Sequence, residues 1–405
     1  MTLHLHRADS TDVLAVALAR VLADPLPDPF AQEVVVVPAK GVERWLAQRL
    51  SHTLGAGAGG QDGVCAGVRF LSPRSLVALL TGTERTDPWD PDRLVWPLLE
   101  VIDENLDQDW CLTLARHLGR EETGVEAELR EGRRYSVARR LAGLFAGYAA
   151  QRPTLIRAWS EGRDEDGIGH PLADDLLWQP QLWRGLVARV DAPAPEKRHA
   201  TTLATLHAGG DGLDLPGRLS LFGHTRLPAT EIELLAALGE HRDVHLWLPQ
   251  VSASLSDDLA EVVAAGPVPR SADASAHQVR HPLLASLGRD ARELQRSLAG
   301  VGAIAATVEP ATGVERNTLL GWLQHDLRAN AVAGAELAAT RVQAAGDRSV
   351  QVHACHGPAR QVDVLREVLV GLLADDPTLE PRDILVMCPD VEGFAPLIEA
   401  GFGLG

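Results

Sequence analysis

The fold of this chain is decided by the segment Glu33-Val-Val-Val-Val37-Pro-Ala-Lys40-Gly41. Its four consecutive valines are typical of a strand that is buried on both faces. Such strands belong to parallel sheets that helices cover on each side. The apolar spacing predicts one helix before this strand, over Val13–Val21, and another after it, over Val42–Leu54. The beginning of the chain therefore indicates an α/β protein.

A second strand–helix–strand unit lies well downstream. Arg218–Phe222 and Asp243–Leu248 have strand patterns, and Ala229–Leu238 between them has a helical one. Two parallel strands joined by a helix are what a parallel sheet requires. Residues 73–206 are mostly helical in pattern, with no confident strand. This organisation predicts a large helical insertion within a single α/β domain.

The last third of the chain predicts a second sheet domain. Its parts are a surface excursion at 251–280, helices at Pro282–Leu298 and Asn317–Arg328, an Ala/Gly-rich linker at 330–347, strands at Ser349–Ala354 and Asp383–Met387, and a helix at Ala359–Leu373. A sheet domain that starts near residue 349 would be unfinished at residue 405. We therefore expect the chain to be the front of a longer protein.

Composition narrows the class of protein. The formal net charge is -17 and the pI is about 5.3, so this chain is not expected to coat DNA or a membrane surface by bulk charge. The four cysteines are scattered, which favours a reducing compartment without disulfides or structural zinc. No secretion signal or membrane-spanning run is visible. We expect a cytoplasmic protein from a high-GC bacterium.

The segment after the first buried strand is where a phosphate-binding loop would lie. Val37-Pro-Ala-Lys40-Gly41 lacks the first glycine of such a loop, and lysine precedes glycine instead of following it. The full pattern G-x-x-x-x-G-K-[ST] occurs nowhere in the chain. Because the amide cradle and the magnesium-binding hydroxyl are both missing, ATP hydrolysis is not expected here.

Three other motifs favour structural interpretations. Gly55–Gly60 fits G-x-G-x-x-G but follows a helix, so a flexible loop is favoured over a dinucleotide site. Asp103 and Glu104 resemble the end of a Walker B strand, but the apolar residues around them recur at helical spacing. They are therefore interpreted as the solvent face of an amphipathic helix. His353, Cys355 and His356 lack a partner cluster for a metal, and a structural role is favoured.

One local positive patch stands out in this acidic chain. Six arginines and no acid lie between Arg133 and Arg157, at positions 133, 134, 139, 140, 152 and 157. Arg133 and Arg140 are seven residues apart and share a helix face. The patch is either a solvated face that pairs with acids elsewhere or a channel wall that contacts phosphates.

Several segments resemble, in the same order, the motifs of one family. They are Pro38–Leu46 (S-T-G-M-A-Q-W-L in the family), Phe145–Pro153 with Trp159 (F-D-Q-Y-x-x-Y-R-P followed by W), Trp178–Trp183 (W-Q-A-P-L-W), His281–Gly288 (N-P-L-L-A-S-W-G), Val352–Leu365 (H-V-C-H-S-P-x-R-E-V-E-V-L) and Asp376–Ile384, which is nearly the family's text. This is the RecC (gamma) subunit family of exodeoxyribonuclease V. The resemblance runs from end to end of the chain.

The resemblance implies a fold. RecC looks like a superfamily 1 helicase that has lost its ATPase motifs, a degenerate P-loop NTPase. It implies a parallel-sheet domain with a large helical insertion, followed by the start of a second α/β domain. The expected boundaries are 1–72 and 208–348 for helicase-like domain 1A, 73–207 for the 1B-like insertion, and 349–405 for the truncated domain 2A.

The resemblance also implies a function and partners. RecC subunits assemble with RecB and RecD into a heterotrimer that unwinds and degrades double-strand ends for homologous recombination. This chain would be a non-catalytic DNA-binding subunit that channels and scans single-stranded DNA. It would hold no cofactor itself, since the partner subunits use the ATP and Mg²⁺. Whether the chain counts as an enzyme is left open.

The resemblance also implies a surface that scans the 3′ strand of the DNA for a short sequence called Chi. The positions of this surface map onto this chain residue by residue. The positions that match this surface are Pro38, Lys40, Arg44, Val68, Arg74, Leu144 and Arg152. Arg133 and Arg140 of the positive patch complete the predicted DNA-binding residues. Pro38, Lys40 and Arg44 replace polar residues of the enterobacterial pattern, while Gly143 and Ala146 replace acids. The resemblance therefore implies single-strand binding without recognition of the enterobacterial Chi octamer.

Two other functions stay open at this point. One is an active ATP-dependent superfamily 1 helicase subunit of the AddB type, for which Lys40 would have to be the Walker A lysine. The other is an interaction scaffold with no DNA contact.

Overall fold

The computed structural model of the chain describes residues 3–56, 63–120, 122–210, 212–301, 304–307 and 317–403. Contacts divide the chain into two units. The first comprises Met1–Thr312 with Leu327–Val332, and the second comprises Gly313–Asp326 with Ala333–Gly405. Most of the glycine-rich segment Gly55–Gly60 lies outside the described residues.

A parallel sheet forms the centre of the first unit. Its strands among the described residues are β1 Leu3–Ala8, β2 Glu33–Val36, β3 Val68–Leu71, β4 Arg218–Phe222, β5 Asp243–Pro249 and β6 Ile304–Thr307. Their order is β3-β2-β4-β5-β1-β6, and every neighbouring pair is parallel. The predicted α/β class and the predicted strands β2, β4 and β5 are confirmed.

Some helices of the chain cover the two faces of this sheet, and others form the helical insertion. Those of the first unit are α1 Thr11–Leu22, α2 Lys40–Ser51, α3 Pro73–Thr81, α4 Pro91–Asn105, α5 Leu112–His117, α6 Val125–Glu131, α7 Arg134–Gln151, α8 Pro153–Ser160, α9 Trp178–Arg189, α10 Pro195–His207, α11 Ala229–Gly239, α12 Ala253–Asp258, α13 Ala260–Ala264, α14 Pro282–Leu287 and α15 Arg289–Ala299. None of the described helices is long and apolar enough to cross a bilayer.

The valine run of β2 connects two separate cores. Val34 and Val36 belong to the core that also contains residues of α3, α11 and α15, whereas Val35 and Val37 belong to the core with α1 and α2. Successive side chains of a strand point to opposite faces, so each valine pair packs on its own layer. All four valines are buried, as the sequence predicted.

The hydrophobic pattern predicts a helix as the first element, but strand β1, Leu3–Ala8, precedes it. Leu3 and Leu5 point into the core on one face, and His4 and His6 lie on the other. The His6 ring stacks on Trp247 of β5 with 3.8 Å between centroids, and its Nε2 lies 3.0 Å from Nδ1 of His245. These histidines occupy positions that a strand pattern assigns to apolar residues.

Burial lowers the pKa of several histidines. The pKa of His6 and of His245 falls to about 4 through burial, with nearby His4 adding to the shift. Burial alone lowers the pKa of His224, after β4, to about 4. Both ring nitrogens of His224 are buried without a hydrogen-bond partner among the described residues. A charged ring would therefore be costly at this position.

We expect acid to destabilise the first unit through His224. Its pKa is near 6.5 when unfolded and about 4 when folded, so the stabilisation is complete above pH 6.5 and is lost as pH falls toward 4. Between pH 7 and pH 5, the free energy of unfolding should fall by about 2 kcal/mol more in wild type than in the His224→Leu variant. Urea unfolding at the two pH values measures this difference. A pH slope in His224→Leu equal to that of wild type would contradict the prediction.

The helical insertion has a core of its own. Helices α4, α5, α7, α8 and α9 enclose Trp89, Phe145, Trp159 and Trp183, which are all buried. Between residues 73 and 206 the described chain contains one isolated bridge, Glu165 with Pro171, and no strand. The predicted helical character of this region is confirmed.

The segment 251–280 is more ordered than predicted. It contains α12 and α13, and it wraps over two buried arginines of α15. Arg292 donates to the Leu284 carbonyl at 2.8 Å, and Arg296 donates to the carbonyls of Val262 and Gly266 at 2.8 and 3.0 Å. The segment lies mostly at the surface, as predicted, but the expectation that it contains little helix was wrong: α12 and α13 form here, and Arg296 of α15 satisfies the carbonyls of Val262 and Gly266.

The single helix predicted over Pro282–Leu298 is two helices, α14 and α15, which separate at Gly288. A Cβ at residue 288 would lie 2.5 Å from the carbonyl oxygen of Leu284. Only glycine allows this close approach of the two backbone segments. The helix predicted at Asn317–Arg328 is confirmed as α16 Leu319–Arg328.

The regular secondary structure in the described residues of the second unit is all helical. It contains α17 Ala335–Thr340, α18 Gly357–Asp375 and α19 Val391–Phe402 in addition to residues of α16. The strands predicted at Ser349–Ala354 and Asp383–Met387 were wrong, since both segments are irregular. Val352 is 93% exposed and Met387 is 87% exposed. No neighbouring strand in the described residues pairs with either segment, and an unpaired strand has no ladder to satisfy its backbone.

Candidate nucleic-acid interface

The candidate site begins at the carboxyl edge of the sheet. Strands β2 and β3 are parallel neighbours, so the loops that follow them, at Pro38 and Ser72, emerge side by side. Ser72 caps α3, and its Oγ accepts a hydrogen bond from the Ser75 amide at 3.1 Å. In open parallel sheets, ligands bind outside this edge.

A large cleft of about 1190 Å³ opens at this edge. One side is built from the loop after β2 together with α3, α10 and α11. The other side is built from residues 83–94 and the face of α7 that carries Phe145 and Ala146. The Thr230 hydroxyl of α11 donates to the Ala150 carbonyl of α7 at 3.0 Å and so fixes the floor. The cleft therefore lies between the sheet layer and the helical insertion.

Charged side chains of both signs line the cleft. The four acids are Glu84, Asp87, Asp90 and Glu231, and the five arginines are Arg69, Arg74, Arg85, Arg93 and Arg198. Three of the arginines are paired, Arg69 with Asp214 at 2.7 Å, Arg74 with Asp90, and Arg198 with Asp87 at 2.6 Å. Arg85 and Arg93 are exposed and form no ion pair with any described residue. Two guanidinium groups are thus free to meet an anion.

Two carboxyl groups of the cleft have shifted pKa values in opposite directions. Burial opposes ionisation of Asp87, but hydrogen bonds from Arg198 and from the Trp89 amide outweigh it and hold the pKa of Asp87 below its ordinary value. Burial raises the pKa of Glu231, on the floor, to about 7. A partly protonated Glu231 reduces the negative charge near a bound polyanion.

The structure brings only some of the predicted site residues together. Pro38 and Arg74 line the cleft. Lys40 and Arg44 are exposed on the first turns of α2, and the Lys40 ammonium lies 2.9 Å from the Glu43 carboxylate. Val68 is half-buried in β3 and packs beside α2, away from the cleft.

The predicted residues of α7 lie on another face of that helix. Arg133, Arg140 and Leu144 fall within about 40° of one another around the axis, which agrees with the predicted shared face. Other residues of α7 line the cleft. The middle of that set lies roughly 170° around the helix axis from the face of Arg133, Arg140 and Leu144. Arg152 ends the helix, and its Nη2 donates to the Asp166 carbonyl at 3.3 Å. As DNA contacts, Arg133, Arg140, Leu144 and Arg152 remain predictions, and they do not line this cleft.

Arg85 and Arg93 were missed by the sequence analysis. Arg85 lies in an irregular loop and Arg93 at the start of α4, so no periodic pattern marks either residue. The available signal was the position of Arg93 on the polar side of an amphipathic helix whose buried residues are Leu94, Leu98 and Ile102. Among the described residues, no group of three or more His, Cys, Asp or Glu side chains is arranged to hold a metal ion.

Comparison with known proteins identifies the family. The family model described as RecC, N-terminal domain, matches residues 3–330. The chain is 60% identical to the RecBCD enzyme subunit RecC of Mycolicibacterium smegmatis and 59% identical to that of Mycobacterium tuberculosis H37Rv. These alignments cover 100% of this chain and 35% and 36% of the relatives.

A more distant relative extends the comparison beyond mycobacteria. The RecBCD enzyme subunit RecC of Escherichia coli is 26% identical over 99% of this chain and 38% of its own length. The chain thus spans about a third of the length of the curated relatives it matches. Because the family model covers most of its residues, the chain belongs to the RecC family.

Proposed function

We propose that this chain binds single-stranded DNA as a non-catalytic subunit of a RecBCD-type helicase–exonuclease complex that prepares double-strand ends for recombination. RecB-like and RecD-like chains would be its partners and would supply ATP hydrolysis and nuclease activity. The name of the relatives, RecBCD enzyme subunit RecC, supports the assembly. The cleft with its two unpaired arginines, Arg85 and Arg93, is the observation that carries the DNA contact.

The proposed fold assignment is a superfamily 1 helicase-like sheet domain with a degenerate phosphate loop. The parallel sheet and the position of Lys40 after β2 support it. Lys40 is 83% exposed and paired with Glu43, and the segment around it lacks the glycine cradle of a phosphate loop. These observations favour the non-catalytic subunit over the active motor. In this proposal, residues 1–72 and 208–348 form helicase-like domain 1A, residues 73–207 form the 1B-like insertion, and residues 349–405 begin domain 2A.

Charge reversal in the cleft tests the DNA contact. An oligothymidine of about 16 nucleotides suits a single-strand groove, and its binding to the 405-residue chain is measured by fluorescence anisotropy. We expect the double variant Arg85→Glu with Arg93→Glu to bind on the order of tenfold more weakly per lost contact. The slope of log K against log salt should fall by roughly 1.4, since each single-strand phosphate contact contributes about 0.7.

Two further variants locate the contact. Arg20→Glu reverses an exposed arginine of α1 that does not line the cleft, and its affinity should stay close to that of wild type. Arg140→Glu reverses a charge on the opposite face of α7. If Arg140→Glu weakens binding and the cleft double variant does not, the DNA strand follows the predicted arginine face of α7. The assignment of the DNA contact to the cleft is then wrong. No loss in either variant would favour a scaffold without DNA contact.

A further inference from the structure

An exposed aromatic pair lies on the helical insertion. Trp96 of α4 is 64% exposed and Tyr135 of α7 is 49% exposed. Their ring centroids are 5.9 Å apart, with an interplanar angle of 55°. Large aromatic side chains that are exposed together, beside charged groups, are typical of binding surfaces.

This pair lies in line with the cleft. On α7, Tyr135 and Ala146 fall within about 40° of each other around the axis and roughly 16 Å apart along it, and Ala146 lines the cleft. On α4, Trp96 lies one turn after Arg93, which also lines the cleft. Both helices therefore lead from the cleft to the ring pair.

The charges around the rings favour a polyanion. Arg93 and Arg139 are exposed, and neither forms an ion pair with the described residues. Glu100, one turn after Trp96, is paired with Arg189 at 2.7 Å, and Asp103 is paired with Arg134. Asp92 is the exposed acid one turn before Trp96. Among the described side chains on this side, Arg93 and Arg139 are cations without an ion pair, and Asp92 is an acid without one.

We propose that Trp96 and Tyr135 form a stacking platform for the bases of single-stranded DNA where the strand leaves the cleft. Arg93 and Arg139 would hold the phosphates on either side of the stacked bases. This inference rests on the proposed function, because the platform extends the same path. Aromatic rings suit this role without sequence preference, since every base has a π-face.

Abasic oligonucleotides test stacking separately from charge. The probes are an oligothymidine of about 16 nucleotides and an abasic oligomer of equal length and charge. Wild type should bind the abasic oligomer more weakly by about 5- to 150-fold for each stacked base. The variant Trp96→Ala with Tyr135→Ala should bind oligothymidine more weakly by a similar factor and should discriminate less between the two probes.

Two control variants show whether the effect depends on these rings. Trp96→Phe retains a π-face and should discriminate between oligothymidine and the abasic oligomer as wild type does. Phe30→Ala removes a ring that is 92% exposed and contacts no other ring among the described residues, so it should change nothing. Thermal unfolding should be nearly unchanged in all these variants, because the replaced rings are exposed.

The outcomes separate this inference from the proposed function. If the cleft arginine variants lose oligothymidine binding while the double ring variant does not, the platform is wrong and the proposed function stands. If wild type binds neither probe, the proposed DNA contact fails first. If the ring variant keeps its DNA affinity but no longer assembles with RecB-like and RecD-like chains, this face is a subunit interface and the platform is overturned.

Discussion

Replacement of Arg296 by alanine is expected to lower the free energy of unfolding of the first unit by about 3–5 kcal/mol. The Arg296 side chain is 5% exposed and forms an ion pair at 3.0 Å with Asp273, whose side chain is 14% exposed. The same guanidinium donates to the carbonyls of Val262 and Gly266. Its removal leaves a carboxylate and two carbonyls without these donors in a buried place.

The Asp273 carboxyl group explains why the loss is large. Burial opposes its ionisation, but hydrogen bonds from Ser275 and Arg296 outweigh burial and hold the pKa of Asp273 below its ordinary value. Without Arg296, part of the stabilisation of that charge disappears. The double variant Arg296→Met with Asp273→Ala should recover much of the stability, because removal of both charges leaves neither one unpaired.

Urea unfolding and hydrogen exchange measure this effect. The exchange of amides in residues 251–280 should increase most, since Arg296 ties that segment to α15. The matched control is Arg289→Ala, an exposed arginine of the same helix, which should change stability by less than about 0.5 kcal/mol. A loss in Arg296→Ala as small as that control would contradict the role given to the buried ion pair.

Short-range patterns predicted much of the first unit. The valine run of β2, the strands β4 and β5, and helix α11 between them follow from hydrophobic spacing over a few residues. Strand β1 escaped prediction because His4 and His6 look polar in a sequence. In the fold, the ring of His6 stacks on Trp247 and behaves as an apolar surface.

Long-range contacts account for most of what was missed. Arg292 and Arg296 have the spacing of a solvated helix face, yet both are buried by a segment that precedes α15. The alternating residues at Ser349–Ala354 have a strand pattern, but the described residues supply no neighbouring strand. The hydrophobic pattern of a segment indicates which secondary structure it prefers. Whether a strand forms also depends on a neighbouring strand that pairs with it and on the residues that pack against it.

The candidate site was predicted in part. Pro38 and Arg74 follow neighbouring strands, and the carboxyl edge of the sheet brings both to the cleft. The orientation of α7 was not predictable from its own sequence. Arg140 and Phe145 are five residues apart, and packing against α4 decides which of them faces the cleft.

Replacement of Trp183 by alanine is expected to destabilise the helical insertion by about 3–5 kcal/mol. Trp183 is buried, and its ring lies 5.3 Å from that of Trp89 and 5.5 Å from that of Phe145. Its Nε1 donates to the Ser160 hydroxyl at 2.9 Å. Alanine removes these contacts and leaves a cavity at the centre of the insertion's own core.

This loss should reach the cleft, because Trp183 and Phe145 are among the residues that line it. Hydrogen exchange should increase in α7, α8 and α9 and much less in the sheet, whose cores are separate. Oligothymidine binding should weaken although no charge has changed, since the arginines lose their fixed support. Trp183→Phe keeps most of the ring and should have a smaller effect on both measurements. Increased exchange that spreads equally to β1, β4 and β5 would show that the insertion has no independent core, and the link between its packing and the cleft would then be wrong.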